Sequence, residues 1–309
     1  MIVIQVNTQE MKTIHLIHNP GAGDEAHSKS TLLRFIEAAG YECRYCSTDD
    51  GDQWKNIDPN TDFIVIAGGD GTVKETISEL LKKESSNKRL PIAILPCGTA
   101  NNIAGSLNIK GELIDIIRSW SNPETTAIDV GEIFDVEESP DFFIESFGYG
   151  LFPFLMQEME RTGKNKIEDK EEKIKAAQQL MHDISHSYKP HTCELIIDGE
   201  DHSGEYLMAE IMNTRFIGPN LFLSPHGHPG DGTFEVVLIP GEDQEKFAAY
   251  VDSKIKDSEV MYSFITIRAE DVKIKWKGTH AHVDDEKIKL KENAPVHIRV
   301  QKNALTFLI

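Results

Sequence analysis

An α/β N-terminal domain built on a parallel sheet, followed by a C-terminal antiparallel β-sandwich, is the fold class that the sequence predicts. Three observations carry it. Apolar runs alternate with helix-compatible stretches from about residue 12 to residue 128, as a parallel sheet covered on both faces requires. From Ile128 the chain switches to short β runs separated by turn residues. A length of 309 residues is enough for two separate cores. The domains are expected at 1–128 and 129–309, with a helical insertion at about 152–188, and the extreme C-terminus is allowed to return to the first domain.

Taken in order, Lys12 to His18 reads as a buried strand that Asn19-Pro20-Gly21-Ala22-Gly23 breaks before a helix from about Ser28 to Ala39. Tyr41 to Cys46 is strand-like. Asp62 to Ala67 is a second buried strand, Gly68-Gly69-Asp70-Gly71-Thr72 a turn, and Val73 to Lys83 a helix. Leu90 to Leu95 is the next strand, followed by Pro96-Cys97-Gly98-Thr99-Ala100-Asn101-Asn102 and an apolar helix. The β runs beyond include Phe142 to Phe147, Thr192 to Asp198, Glu205 to Met212, Gly232 to Ile239, Val272 to Trp276 and Val296 to Val300. Leu151 to Met156, inside the insertion, is more apolar than an exposed helix needs; packing into the β-domain is favoured over lining an acyl-chain entrance.

Strand, glycine-rich turn and helix N-terminus at Gly68 to Thr72 make an anion cradle, because glycine lets backbone N–H groups approach phosphate oxygens and the helix dipole favours negative charge there. The spacing fits neither a P-loop nor a dinucleotide fingerprint. Asp70 inside such a cradle would repel phosphate unless it holds a metal ion or takes a proton, so it is read as a working residue. Three strand ends carrying Gly or Asn should converge on one edge of the parallel sheet, where α/β folds place their ligands.

This constellation resembles the diacylglycerol kinase catalytic family, the bacterial lipid kinases that include sphingosine-kinase-like relatives. Asn19 to Gly23 resembles its Asn-Pro-x-x-Gly loop, Gly68 to Thr72 its signature, and Pro96, Gly98, Thr99, Ala100 and Asn101 its third loop. Asp129-Val-Gly131 and Phe147-Gly-Tyr-Gly150 resemble the entry into its β-rich domain. Asn213, Gly218-Pro219, Ser224-Pro225 and Asp231 to Glu235 resemble its metal-site segment, and Val283-Asp-Asp-Glu286 its catalytic turn.

The resemblance implies an ATP-dependent lipid kinase that phosphorylates a lipid hydroxyl, of diacylglycerol or a related lipid, with Mg²⁺. It assigns nucleotide binding to Asn19, Pro20, Gly21, Ala22, Gly23, Thr48, Ala67, Gly68, Gly69, Asp70, Gly71, Thr72, Val73, Gly98 and Thr99. Asp231 would be the magnesium carboxylate, with the backbone carbonyls of His228 and Thr233 as co-ligands, and Glu286 the general base; Asp70 is the second catalytic candidate. Departures from the family pattern are Lys74, Asn102 and Asp285, the last standing where glycine is usual and suggesting a left-handed aspartate or a shifted turn. An NAD-kinase-like enzyme and a non-catalytic nucleotide-binding regulator are the alternatives.

A net charge of −19 argues against nucleic acid as partner and sits awkwardly with an anionic bilayer. There is no run of about 18 apolar residues of the kind a spanning helix needs, and Met1 to Val6 is too short and uncharged for a signal peptide. A cytoplasmic protein, peripheral at the inner membrane face where its lipid lies, is expected, and a homodimer through β-domain edges is left open. The four cysteines, including the lone Cys43-x-x-Cys46, are read as free thiols. His226/His228 and His280/His282 have the spacing for a transition-metal site, but turn or surface histidines are the favoured reading.

Overall fold

Strands whose every residue is buried need neighbours on both faces, and the parallel sheet of the first unit supplies them. In the computed structural model, which describes residues 11–23, 25–82, 90–98, 101–136, 140–258 and 262–309, the chain divides into two units. The first ends at Gly98 and takes in Ile109–Thr125 and Thr306–Ile309; the second comprises Thr99–Asn108 and Thr126–Leu305. In the first, β1 (Thr13–His18), β2 (Glu42–Ser47), β3 (Phe63–Gly68) and β4 (Ile92–Pro96) run parallel in the order β2-β1-β3-β4. β3 is buried along its whole length, whereas the edge strand β2 is mostly half-exposed. Phe307 pairs in parallel with Ile92, which brings the C-terminal residues back into this unit.

Helix α1 (Lys29–Ala38) starts at Ser28, whose side chain accepts the Thr31 N–H, and buries Leu32 and Ile36 on the sheet. Helix α2 (Asp70–Lys82) begins three residues before the expected Val73. Gly68 and Gly69 suffice to turn the chain, and a carboxylate in the first helical turn is favourable to the dipole, so Asp70, Gly71 and Thr72 are helical. The single apolar helix expected after Asn102 is two short ones, α3 (Asn102–Ser106) in the second unit and α4 (Leu113–Ser119) in the first, because Asn108 and Gly111 take positive φ between them. The first unit's core joins Ile14, Leu16, Val65 and Leu95 to Leu32, Ile36 and Ile117.

Strands of the second unit are β5 (Thr125–Phe134), β6 (Phe142–Phe143), β7 (Ser146–Gly150), β8 (His191–Ile197), β9 (Glu200–Asp201), β10 (Gly204–Met212) and β11 (Phe216–Ile217). They continue with β12 (Leu221–Phe222), β13 (Phe234–Pro240), β14 (Ile265–Ala269), β15 (Asp271–Trp276), β16 (His280–Val283), β17 (Glu286–Lys289) and β18 (Pro295–Leu308), whose residues from Thr306 belong to the first unit. Antiparallel pairing runs β17-β16-β7-β10-β8-β15-β18, while β13 pairs with both β10 and β14. β10 and β13 read as nearly continuous apolar runs because both of their faces are covered. Ala209, Ile211, Val236 and Leu238 meet other strands at Phe147, Leu195, Val272 and Ile298. Met208, Met212, Val237 and Ile239 meet helices at Phe152, Leu155, Met181, Phe247 and Val251.

Those helices are α5 (Leu151–Arg161), α6 (Lys170–Ser185) and α7 (Gln244–Ile255). The expected insertion is thus a helix pair, interrupted at Gly163 (φ 71°) and restarted at Asp169, whose side chain accepts the Glu172 N–H. Leu151, Phe152, Pro153 and Leu155 are buried against the β-domain, which accounts for their apolar character. α7 lies outside the elements expected from sequence, although Phe247, Tyr250 and Val251 carry helical spacing. Among the described residues, no helix is long and apolar enough to cross a membrane.

Candidate active site

In the first unit, three loops leave the same end of the parallel sheet, and main-chain hydrogen bonds carry the ladder past the strand ends. Asn19 N–H donates to Ala67 O at 2.9 Å, Thr48 N–H to His18 O at 2.9 Å, and Cys97 N–H to Gly68 O at 2.9 Å. Asn19 then joins two of the loops through its carboxamide. Its Oδ1 accepts the Gly21 N–H at 2.9 Å, which shapes the Asn19 to Gly23 turn, and its Nδ2 donates to Thr72 Oγ1 at 3.0 Å. The second and third loops approach so closely that a Cβ on Gly69 would lie 2.9 Å from Gly98 Cα. No larger residue fits there without moving backbone.

Asn19, Pro20, Gly21, Ala22, Gly23, Thr48, Gly68, Gly69, Asp70, Gly71, Thr72 and Gly98 therefore sit around one sheet edge and the first turn of α2, where the positive end of the helix dipole favours an anion. Ala67 and Val73 are buried, so any ligand contact from them is through the main chain. Thr99 lies outside the described residues. Next to this edge, His18 Nδ1 is 3.0 Å from the Tyr45 hydroxyl, and the Lys29 ammonium lies 4.0 Å from the centre of the Tyr45 ring. Burial holds the His18 pKa below its ordinary value.

In the second unit, the predicted magnesium segment is a tight turn held by a buried aspartate. Asp129, 1% exposed, accepts the Gly232 N–H at 2.7 Å on one carboxylate oxygen and the Asn303 N–H at 2.7 Å on the other. Asn213 Nδ2 donates to both Asp129 O and Ile144 O at 2.8 Å, closing the frame. Within the turn, Asp231 Oδ1 accepts from Thr233 N–H at 3.1 Å and Thr233 Oγ1 at 2.9 Å, and the Asp231 N–H donates to His228 O at 3.2 Å. Its other oxygen is ion-paired with the Arg268 guanidinium. The three predicted ligand residues are thus adjacent, and an oxygen-only set of one carboxylate and two carbonyls suits a hard cation such as Mg²⁺. Arg268 supplies the positive charge at that carboxylate in this structure. No cluster of three or more His, Cys, Asp or Glu side chains arranged for a metal occurs among the described residues.

Glu286 opens β17 on the surface, directly after the Asp284-Asp285 turn that joins it to β16. The left-handed residue is Asp284 (φ 52°), so the strain expected at Asp285 falls one position earlier. Asp284 is 4% exposed, and its carboxylate accepts the N–H groups of Ile144, Glu145 and Ser146 at 2.8 to 3.1 Å. That hydrogen bonding makes the left-handed conformation affordable and removes Asp284 from the solvated tip. His282 is fully buried with both ring nitrogens engaged, so the His280/His282 pair does not present a metal site. The four cysteines are free thiols, and burial pushes Cys43 up to about 12, far from a reactive thiolate.

Comparison with known proteins supports the motif reading. Residues 13–133 match the family model described as the diacylglycerol kinase catalytic domain, and residues 161–309 match the YegS C-terminal NAD kinase beta sandwich-like domain. The chain is similar to a protein of Bacillus subtilis (strain 168) named diacylglycerol kinase, at 26% identity over 268 residues that cover 82% of this chain and 84% of the relative. In fold it is similar to a crystal structure described as a diacylglycerol kinase of Bacillus anthracis strain Sterne, with a TM-score of 0.70 at 19% identity and 97% of each chain covered. Motifs in the expected order and a family match to each half mean that residues 13–133 form a diacylglycerol kinase catalytic domain and residues 161–309 a YegS-type C-terminal domain.

Proposed function

We propose that the chain is a lipid kinase that transfers the γ-phosphoryl group of ATP, with Mg²⁺, to a hydroxyl of diacylglycerol or a related lipid at a membrane surface. The observation that carries the nucleotide half is the Asn19–Thr72 hydrogen bond together with the Gly69–Gly98 contact, which pack glycine backbone around a helix N-terminus. Asn19 acts as the organiser of this edge, and Gly68, Gly69, Gly71 and Thr72 offer the donors that phosphate oxygens need. Asp70 stands in the first turn of α2, where a bound cation would reconcile its charge with the phosphates. Asp231 and the carbonyls of His228 and Thr233 would hold Mg²⁺, which neutralises charge developing during phosphoryl transfer.

Glu286 is the base in this reading. Its carboxylate takes the proton of the acceptor hydroxyl while that oxygen forms its bond to the γ-phosphorus and the bond to the ADP oxygen breaks. Glu286→Gln keeps the shape and removes the proton acceptor. Turnover should fall by the ~10² to 10⁴ typical of losing general-base catalysis while ATP affinity persists. Full turnover in Glu286→Gln would remove the assignment. An NAD-kinase-like activity is the second reading, favoured by the description of the domain that residues 161–309 match.

A further inference from the structure

A glutamate in the middle of β10 has no place in the strand's own logic. Glu210 lies between Met208 and Met212 on the face that the helices cover, and it is 0% exposed. An apolar residue would fill that position without the penalty of burying a carboxylate. His282, equally 0% exposed, sits two strands away on β16. Register explains how they meet. Glu210 is paired with Gly148 of β7, and Gly148 in turn with His282. A Cβ on Gly148 would lie 2.0 Å from Glu210 Oε2, so the absence of a side chain on the middle strand is what lets the carboxylate reach the imidazole. Glu210 Oε2 is 2.8 Å from His282 Nε2, and the Phe152 ring seals the pair edge-on, its centroid 4.7 Å from that of the imidazole.

The other ring nitrogen points along the chain. His282 Nδ1 is 2.7 Å from the carbonyl oxygen of Asp284. A carbonyl only accepts, so Nδ1 carries hydrogen, and Nε2 and Glu210 share a single proton between them. Asp284 is therefore gripped at both ends: its carboxylate by the amides of residues 144–146, its carbonyl by His282. It is also the left-handed residue that turns the chain into β17, two positions before Glu286.

We infer that Glu210 and His282 are positioning residues, a buried carboxylate–imidazole pair that fixes the Asp284 turn and so the placement of Glu286. The inference rests on the reading of Glu286 as the base, but its structural half stands apart from that reading. Burial alone would lower the His282 pKa, yet the Glu210 carboxylate holds it above its ordinary value, and burial raises Glu210; both directions agree with one proton retained by the pair.

The test uses the full-length chain. Glu210→Gln should lower kcat for lipid phosphorylation about 10-fold, leave the KM for ATP unchanged, and speed amide hydrogen exchange at residues 284–287. Glu210→Met combined with His282→Phe replaces the pair by apolar groups of similar volume, which restores packing; the kcat defect and the faster exchange should remain. Wild-type kcat with wild-type exchange in the double variant overturns the inference. If Glu286→Gln keeps full turnover while Glu210→Gln still loosens residues 284–287, only the base assignment fails. Should neither variant fold, the wild-type chain still decides: NMR of the His282 ring should show hydrogen on Nδ1 throughout the pH range of activity, and an Nδ1 without hydrogen overturns the inference.

Discussion

Asp129→Asn is a nearly isosteric change whose cost follows from hydrogen-bond direction. Each Asp129 oxygen accepts one backbone N–H, from Gly232 and from Asn303, both at 2.7 Å, and the carboxylate belongs to a residue only 1% exposed. An asparagine keeps one acceptor and turns an NH₂ group toward the other amide, donor against donor. Hydrogen bonds to a charged group contribute about 1.5–3 kcal/mol each, and an unsatisfied buried donor costs about 1–3 kcal/mol. The change should therefore cost about 2–4 kcal/mol, and Asp129→Ala, which loses both bonds, about 3–6 kcal/mol. At about 2–4 °C per kcal/mol for a unit of this size, Asp129→Asn should lower Tm by about 4–16 °C. Calorimetry reads the shift, and native-state hydrogen exchange reads its origin, since one of the Gly232 and Asn303 amides should lose protection while the other keeps it. An unchanged Tm with both amides still protected would refute the view that the Asp129 carboxylate holds the turn carrying Asp231.

Three further outcomes follow from the geometry. Gly69→Ala places a Cβ where Gly98 Cα stands 2.9 Å away, so ATP with Mg²⁺ should no longer raise the melting temperature of this variant; an unchanged ligand-induced shift places the cradle elsewhere. Arg268→Gln removes the cation at the Asp231 carboxylate, so Mg²⁺ should bind more tightly to that variant and more weakly to Asp231→Ala, as isothermal titration with Mg²⁺ alone would read; equal affinities would exclude Asp231 as a ligand. His282 has a folded pKa held above its ordinary 6.5 by Glu210, so its contribution is complete below pH 6.5 and is lost as pH rises through the folded value. Glu210, also raised, has the same sign, so wild type should lose stability as pH rises above 6.5 faster than the Glu210→Met, His282→Phe variant in urea unfolding; parallel curves would contradict it.

What the sequence made legible follows from how local each signal is. Glycine-bearing loops after apolar strands are read from neighbours a few residues apart, and β1, β3 and β4 place those loops side by side as expected. Long-range polar pairings leave no such trace. Asp129 reaches Asn303 across 174 residues, Asp284 reaches Glu145 across 139, and Arg268 reaches Asp231 across 37. Asp129 could be matched to a motif, but its role as a clamp needed the fold. A subtler signal is the single glutamate inside the apolar run Leu207 to Met212, which on a strand covered on both faces asks for a buried partner. Helix ends were misjudged where a residue can serve turn or helix, as at Asp70, whose carboxylate suits the first turn of α2 as well as a loop.

The central claim is that the chain phosphorylates a lipid hydroxyl, and the most direct measurement is transfer of labelled γ-phosphate from ATP with Mg²⁺ to diacylglycerol and other hydroxyl-bearing lipids in mixed micelles, with NAD as a parallel acceptor. Label in an organic-soluble product, dependent on Glu286 and lost with Asp231→Ala, is the predicted result. Label in NAD alone, or none in any lipid while ATP binds, would contradict the account.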